Sequence, residues 1–327
     1  MYHLPKKYNK YINIYKSRDY VKLPQQFPFS RVKYTQQKVI TFDLDETLGS
    51  FGDLYILWMG IQPYITSIEC EYTDLHSADS HSIDELAFFA LMDLYPEFLR
   101  HGILNILDFL YYKKLSGDCS KICLYTNNQC SQPDNSKWIS LIIRYITRRI
   151  CNDTMKMPLF DKIICAFKID GQIIEPSRTT QNKTYTDLIK CTLLPKTAEI
   201  CFIDNSYYKK MMNDRVYYIQ PKSYEHSLST DEIIERFIYN WKLFKLDNSA
   251  GANLYDLFLI HGRIKPARSL NDNAINTDLI VSQKIMYYLK EFFLLTTKKQ
   301  KTKKISLGQI GRFTRKTRTS YNRHFVQ

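Results

Sequence analysis

The chain has 327 residues, 44% of them hydrophobic and 24% charged, a globular composition long enough to bury a sizeable core with further segments around it. No apolar run approaches the roughly 20 residues that cross a bilayer, and no apolar stretch of signal-peptide type follows Met1-Tyr2-His3-Leu4-Pro5-Lys6-Lys7, so an intracellular protein with no membrane partner is expected. The net charge of +13 sits at the ends: residues 1–37 hold eight Lys/Arg against one acid and residues 296–327 hold ten against none, leaving 28 basic and 32 acidic residues between them.

Residues 1–37, rich in Tyr, Lys, Gln and Pro, show neither helical nor strand periodicity. They read as an extended basic arm, laid on the core or in part without fixed structure. Tyrosines at 2, 8, 11, 15, 20 and 34 offer firmer anchors. From Lys38 to about residue 222 short apolar runs alternate with longer amphipathic stretches, the pattern of an α/β core with a parallel sheet flanked by helices.

Val39-Ile40-Thr41-Phe42, Ile122-Cys123-Leu124-Tyr125 and Ile200-Cys201-Phe202-Ile203 read as strands buried on both faces. Ile163–Phe167 and Val216–Ile219 read as further strands, and helices are predicted over 97–112, 136–150, 184–194, 231–245 and 278–295. Residues 53–95 and 129–182 are inserts without a readable recognition motif. Residues 223–295 form a helical extension whose aromatic stripes belong to a core. The tail from 296, with Lys298-Lys299-x-Lys301-x-Lys303-Lys304 and five later arginines and lysines, reads as a solvated end, a nuclear-targeting segment or a nucleic-acid contact.

The eight cysteines form no Cys-x-x-Cys pair. Several lie in apolar runs as small buried hydrophobes, and reduced thiols are expected; a redox or metal role around Cys119, Cys123 and Cys130 is the alternative.

Each of the three main strands ends on a polar group: Asp43, then Thr126-Asn127-Asn128, then Asp204-Asn205-Ser206. Ligands of open α/β sheets bind at the carboxyl ends of the strands, so these endings can converge on one site. Asp43 and Asp45 lie two apart, so both can meet one ligand. An aspartate can attack a phosphoryl group and form an aspartyl phosphate. A second aspartate can protonate the leaving oxygen and then activate water. Two anions beside a phosphate call for a cation, and Mg²⁺ suits the oxygen donors of Asp43, Asp45, Asp204 and Asn205. Thr126 offers a hydroxyl and an N–H to the phosphoryl oxygens, or else caps its own turn. Lys183 offers a positive charge, fixed beside a helix start by the capping pattern Thr184-x-x-Asp187, with Arg178, Lys168 and Lys190 as substitutes.

The segment Val39–Leu48, with Asp43-Leu44-Asp45-Glu46-Thr47 at its centre, resembles the first motif of the haloacid dehalogenase superfamily. Its Asp-Leu-Asp-Glu-Thr-Leu form is similar to that of the phosphatases of the RNA polymerase II carboxy-terminal domain. Leu124-Tyr125-Thr126, Lys183 and Phe202–Ser206 resemble the later motifs in order. More weakly, Phe98–Ile103 resembles the family's Arg-Pro-Gly helix start with His101 in place of proline, and Leu159-Phe160-Asp161 its approach to the third strand. The resemblance covers about residues 38–222. It implies a Rossmann-like core with the haloacid dehalogenase fold, Mg²⁺ and phosphomonoester hydrolysis, on a phosphoserine or phosphothreonine protein substrate. A nucleic-acid end phosphatase held by the basic ends, or a binding protein that retains the fold, are the alternatives. The texture, rich in Asn, Ile, Lys and Tyr, also resembles phosphatase-like proteins of large DNA viruses.

Overall fold

A computed structural model describes residues 10–23, 37–72, 83–128, 137–151, 157–240, 250–266 and 272–297. The chain divides into two units, Met1–Thr297 and Lys298–Gln327; the second unit lies outside the described residues, and with it nearly all of the basic tail, for which nucleic-acid contact is one of three readings.

The fold class is α/β. In chain order the elements are β1 (Ile12–Tyr15), β2 (Tyr20–Lys22), β3 (Lys38–Phe42), α1 (Gly52–Tyr72), α2 (Ile83–Leu94), α3 (Ile103–Leu115), β4 (Lys121–Tyr125) and α4 (Lys137–Ile150). There follow β5 (Lys162–Ile164), β6 (Lys168–Ile169), β7 (Gln172–Ile173), α5 (Tyr185–Thr192), β8 (Glu199–Ile203), β9 (Val216–Pro221), α6 (Thr230–Asn240), α7 (Ala250–Ile260), α8 (Asp272–Phe293) and β10 (Leu295–Thr297). The main sheet has the order β1-β9-β8-β3-β4-β5. Its five inner strands are parallel, and β1 adds antiparallel to β9 at the edge.

Period-two alternation sorts the strand residues onto two faces. Ile40, Phe42, Ile122, Leu124, Cys201, Ile203, Tyr217 and Ile219 face a large core shared with residues of every long helix except α5. Val39, Cys123, Tyr125, Ile200, Phe202, Val216 and Tyr218 face a smaller core closed by Leu188 and Cys191 of α5, with Leu194 and Met211. Burial on both sides is why these strands read as unbroken apolar runs.

The expected strands are present, with differences that have physical causes. Ile163–Phe167 pairs only as far as Ile164; Lys168–Ile169 and Gln172–Ile173 instead form a hairpin over Asp170 and Gly171, both at positive φ (48° and 83°), as a tight hairpin turn requires. The helix predicted from 97 begins at Ile103, because Pro96–Phe98 is a 3₁₀ turn and Gly102 takes φ 73°. The helix predicted over 278–295 starts earlier, at Asp272, and the 53–95 insert carries α1 and α2. Residue 136 and residues 241–245 of two predicted helices lie outside the described residues. The arm contributes two strands, with Tyr15 and Tyr20 buried as anchors, and Thr296 and Thr297 belong to β10, which pairs with β2.

Among the cysteines, Cys119 and Cys123 are buried and free, with burial pushing both thiols up to about 12, so neither is a reactive thiolate. Cys130 lies outside the described residues. Cys165 is disulfide-bonded, against the expectation of uniformly reduced thiols. Among the described residues no helix is long and apolar enough to cross a membrane.

One buried ion pair fastens the chain's C-terminal strand to the sheet. Glu199 at the start of β8 is fully buried and pairs with Lys38 of β3 at 2.9 Å. Its other oxygen accepts from the Thr297 N–H at 2.6 Å and the Thr296 hydroxyl at 2.8 Å. Lys38 also donates to the carbonyls of Phe292 and Leu295 at 3.0 and 2.5 Å. Burial alone would lift the Glu199 carboxyl; Lys38 and the Thr297 N–H outweigh it and hold its pKa below the ordinary value. Its stabilising contribution is therefore present above the unfolded pKa and is lost as pH falls through the lower folded one. Glu199→Gln is expected to cost about 3 kcal/mol at neutral pH, read by urea unfolding. Hydrogen exchange at Leu295–Thr297 should rise with it; unchanged protection there would refute this account of the anchor.

Candidate active site

The three strand ends meet because β3 lies between β4 and β8 in parallel register, Phe42 standing opposite Leu124 on one side and Ile203 on the other. The ladder runs one step further, Asp43 N–H donating to Ile203 O at 2.9 Å. Lys183 reaches this point from the turn before α5. Thr184 caps that helix, its hydroxyl accepting from Asp187 N–H at 3.0 Å, and its own N–H donates to the Tyr125 hydroxyl at 3.2 Å.

The fully buried Lys183 ammonium donates to Asp43 Oδ1 and, at 2.7 Å, to Asp204 Oδ2. Burial by itself pulls its pKa down; the two carboxylates more than offset this and hold the ammonium above the ordinary lysine value. Of the candidate cations, Lys183 is the one bonded to Asp43. Arg178, also buried, instead braces the neighbouring loop, donating to Thr126 O at 3.1 Å, Cys165 O at 2.6 Å and Gln181 O at 2.8 Å.

Asp45 stands across from the second strand end, its Oδ2 accepting from Asn128 Nδ2. Burial first, and then the charge of Asp43, push its carboxyl up to about 7. Asp204 is pushed up as well, first by burial. The Thr126 hydroxyl accepts from Asn128 N–H at 3.1 Å, the turn-capping role, and its own proton remains available to a ligand.

Thr47, which sequence reasoning passed over as part of the motif's turn, joins two strand ends. Its hydroxyl lies 3.1 Å from Asp43 Oδ2 and 3.0 Å from Asn205 Oδ1, and accepts from Asn205 N–H at 3.1 Å. One hydroxyl proton serves one of those two oxygens at a time. Asn205 Nδ2 donates to Glu46 and to Ser223, each at 3.0 Å.

The loop after β3 is held from below by Arg100, which is 1% exposed. Its guanidinium donates to Thr47 O at 2.7 Å, Glu46 O at 2.5 Å and Lys222 O at 2.9 Å. Glu46 sits at φ 56°, a left-handed conformation that costs a non-glycine residue about 1 kcal/mol, and the Arg100 bond together with Tyr224 N–H at 2.9 Å fixes it there. Gly49 closes the loop where a Cβ would come within 2.4 Å of Phe98 O. The signal for Arg100 was present in Phe98–Ile103, but sequence alone gave it no partner. His101 stands edge-on to Tyr224, ring centroids 6.0 Å apart, and its carbonyl accepts from Ser282.

The donors offered to a metal by Asp43, Asp45 and Asn205 are all hard oxygens, as Mg²⁺ prefers. Three carboxyls with one lysine leave surplus negative charge, which adds to burial in pushing Asp45 up, and the charge of a divalent cation would offset that surplus. Among the described residues, however, no three acidic, His or Cys side chains are grouped closely enough to hold a metal. Both Asp204 oxygens already accept a hydrogen bond, from Lys183 and from Ser206 N–H at 2.8 Å, and each keeps a second lone pair.

No family model matches the chain, and no curated protein matches it. Among solved structures it is similar to the crystal structure of CbbY from Rhodobacter sphaeroides in complex with phosphate, at 13% identity and a TM-score of 0.25, covering 51% of this chain and 77% of that one. A likeness of that size carries no argument, and the site stands on its own geometry.

Because the folded Asp45 carboxyl, at about 7, lies above the ordinary aspartate value of about 4, the folded chain keeps a proton that the unfolded chain has released between about pH 4 and 7. Stability contributed by this group therefore falls as pH rises through that window. In EDTA at pH 8, Asp45→Asn should be more stable than wild type by on the order of 2 kcal/mol after allowance for solvent screening. At pH 4 the gain should vanish; equal melting temperatures at pH 8 would count against the crowding of charge described above.

Proposed function

We propose that the chain is a phosphomonoester hydrolase in which Asp43 is the nucleophile. One observation carries the reading: a carboxylate at the end of the central strand, held by a buried lysine that also grips Asp204, with a second carboxyl of raised pKa two residues on. The three segments that supply these groups, with Leu124-Tyr125-Thr126 between the first and second, follow the order of the haloacid dehalogenase motifs they resemble.

Attack by an Asp43 oxygen forms the bond to phosphorus as the bond to the leaving oxygen breaks. Turning the Thr47 hydroxyl from Asp43 Oδ2 to Asn205 Oδ1 releases the attacking oxygen, while Lys183 keeps Oδ1 in place. Asp45, protonated near neutrality, gives its proton to the leaving oxygen. The resulting carboxylate then takes a proton from the water that attacks phosphorus, and Asp43 is regenerated. Lys183 and Thr126 supply donors for the phosphoryl oxygens. Asp43, Asn205 and the unprotonated oxygen of Asp45, with Asp204 as a further candidate, would hold Mg²⁺, whose charge would offset that of phosphate and carboxylates.

The substrate class is a protein carrying phosphoserine or phosphothreonine. Its support is the Asp-Leu-Asp-Glu-Thr-Leu form of the first motif, which is similar to that of the phosphatases of the polymerase carboxy-terminal domain.

With Mg²⁺, the purified protein should hydrolyse an aryl phosphate, and EDTA should remove the activity. Asp43→Asn should lower kcat at least about a thousandfold, and Lys183→Ala by roughly a hundredfold. Turnover unchanged in Asp43→Asn would end the nucleophile assignment.

A further inference from the structure

The carboxyl end of the sheet carries a second concavity beside the phosphate site. A cleft of about 230 Å³ opens between the N-terminal arm and the end of β9, lined by Lys10, Asn13, Asn205, Gln220, Lys222 and Ser223 among others. None of its lining residues is acidic, and Lys10 and Lys222 are exposed. Two acids stand near it: Asp278, which feels Arg100 and His101 as well as Lys222, and Glu46, which accepts from Asn205 Nδ2 at 3.0 Å; the charged groups of the lining itself are the two lysines.

The cleft and the phosphate site have Asn205 in common. Its Oδ1 faces the Thr47 hydroxyl and its Nδ2 donates to Ser223, while its carbonyl accepts from Gln220 Nε2 at 3.1 Å. Gln220 Oε1 in turn accepts from the Tyr15 hydroxyl of β1 at 2.9 Å. Backbone pairing makes the far wall rigid: β1 runs antiparallel to β9, and Lys222 N–H donates to Tyr11 O at 2.9 Å. The two lysines are thus presented on ordered backbone, and each long side chain keeps its charge in water.

The geometry points to this cleft as a subsite for a second anionic group of the substrate, a carboxylate or phosphate on a residue flanking the phosphorylated one, with Lys10 and Lys222 as specificity-determining residues. The inference rests on the phosphatase reading above and adds to it a role for the N-terminal arm. A peptide fits the lining better than a nucleic acid strand. The Ser223 hydroxyl, which accepts from Asn205 Nδ2, and the second Gln220 Nε2 proton can still donate to a peptide carbonyl, and the one aromatic ring of the lining, Tyr11, already has Lys10 at 5.6 Å and Lys284 at 5.9 Å, leaving no pair of rings on which successive bases stack.

The test compares three phosphoserine peptides, flanked by neutral residues, by a glutamate or by a second phosphoserine, on wild type and on the Lys10→Ala/Lys222→Ala variant. Wild type should prefer the two anionic peptides by about fivefold in kcat/KM, an effect carried by KM, and the variant should lose that preference. Aryl phosphate turnover should be the same in both proteins. Which anionic peptide gains more separates carboxylate from phosphate as the ligand. Binding of the same peptides to Asp43→Asn protein, followed by fluorescence anisotropy, reads the cleft without turnover. Equal affinity for neutral and anionic peptides there would overturn the subsite, whereas loss of aryl phosphate hydrolysis in wild type would overturn only the phosphatase reading. A lysine-dependent preference for a 3′-phosphorylated oligonucleotide over every peptide would overturn the assignment to a protein substrate.

Discussion

The carboxyl end of this sheet collects like charges, and one buried ammonium makes that arrangement stable. Parallel register brings Asp43 and Asp204 side by side at the ends of β3 and β8, with Asp45 two residues further on. Desolvated carboxylates at such range cannot all ionise without compensation. Lys183 enters from outside the sheet, on a turn fixed by the Thr184 cap, and binds both strand-end aspartates. Burial first, and then the charge of Asp43, raise the Asp45 carboxyl, and burial raises Asp204 even with Lys183 bound to it.

Geometry around Asp43 is set by a second buried cation. Arg100 bonds only to carbonyls among the contacts described, tying the loop after β3 to the segment after β9. A guanidinium suits this task because its planar donors reach several acceptors at once. The loop keeps a left-handed Glu46 and a glycine pressed against Phe98 O. Conformations of this kind persist where surrounding bonds over-determine them.

The chain's ends are part of the same construction. The N-terminal arm extends the sheet by one strand, and β2 pairs with β10 while Glu199 and Lys38 hold β10 from the sheet's other end. Segments without a strong local pattern thus become ordered by pairing with an edge, which supplies backbone partners without requiring periodicity in the added strand. The Tyr15–Gln220–Asn205 series carries that pairing to the active site.

Local signals in the sequence determined the α/β class, the three central strands and the polar residue that ends each, and the cap beside Lys183. These depend on β-branched runs, turn chemistry and capping pattern, all of which act over a few residues. The sequence also supplied the candidate cations and put Lys183 first on its capping pattern, but Arg178 stayed open as a substitute until the turn before α5 is placed against the sheet. Tertiary structure decided that Lys183 meets Asp43 while Arg178 braces a loop, that Thr47 links two strand ends, and that Arg100 is a clamp. It also decided that residues 12–15 and 295–297 are strands. Each of these depends on partners roughly 50 to 280 residues away along the chain, a separation at which side-chain pairing leaves no periodic trace in a single sequence.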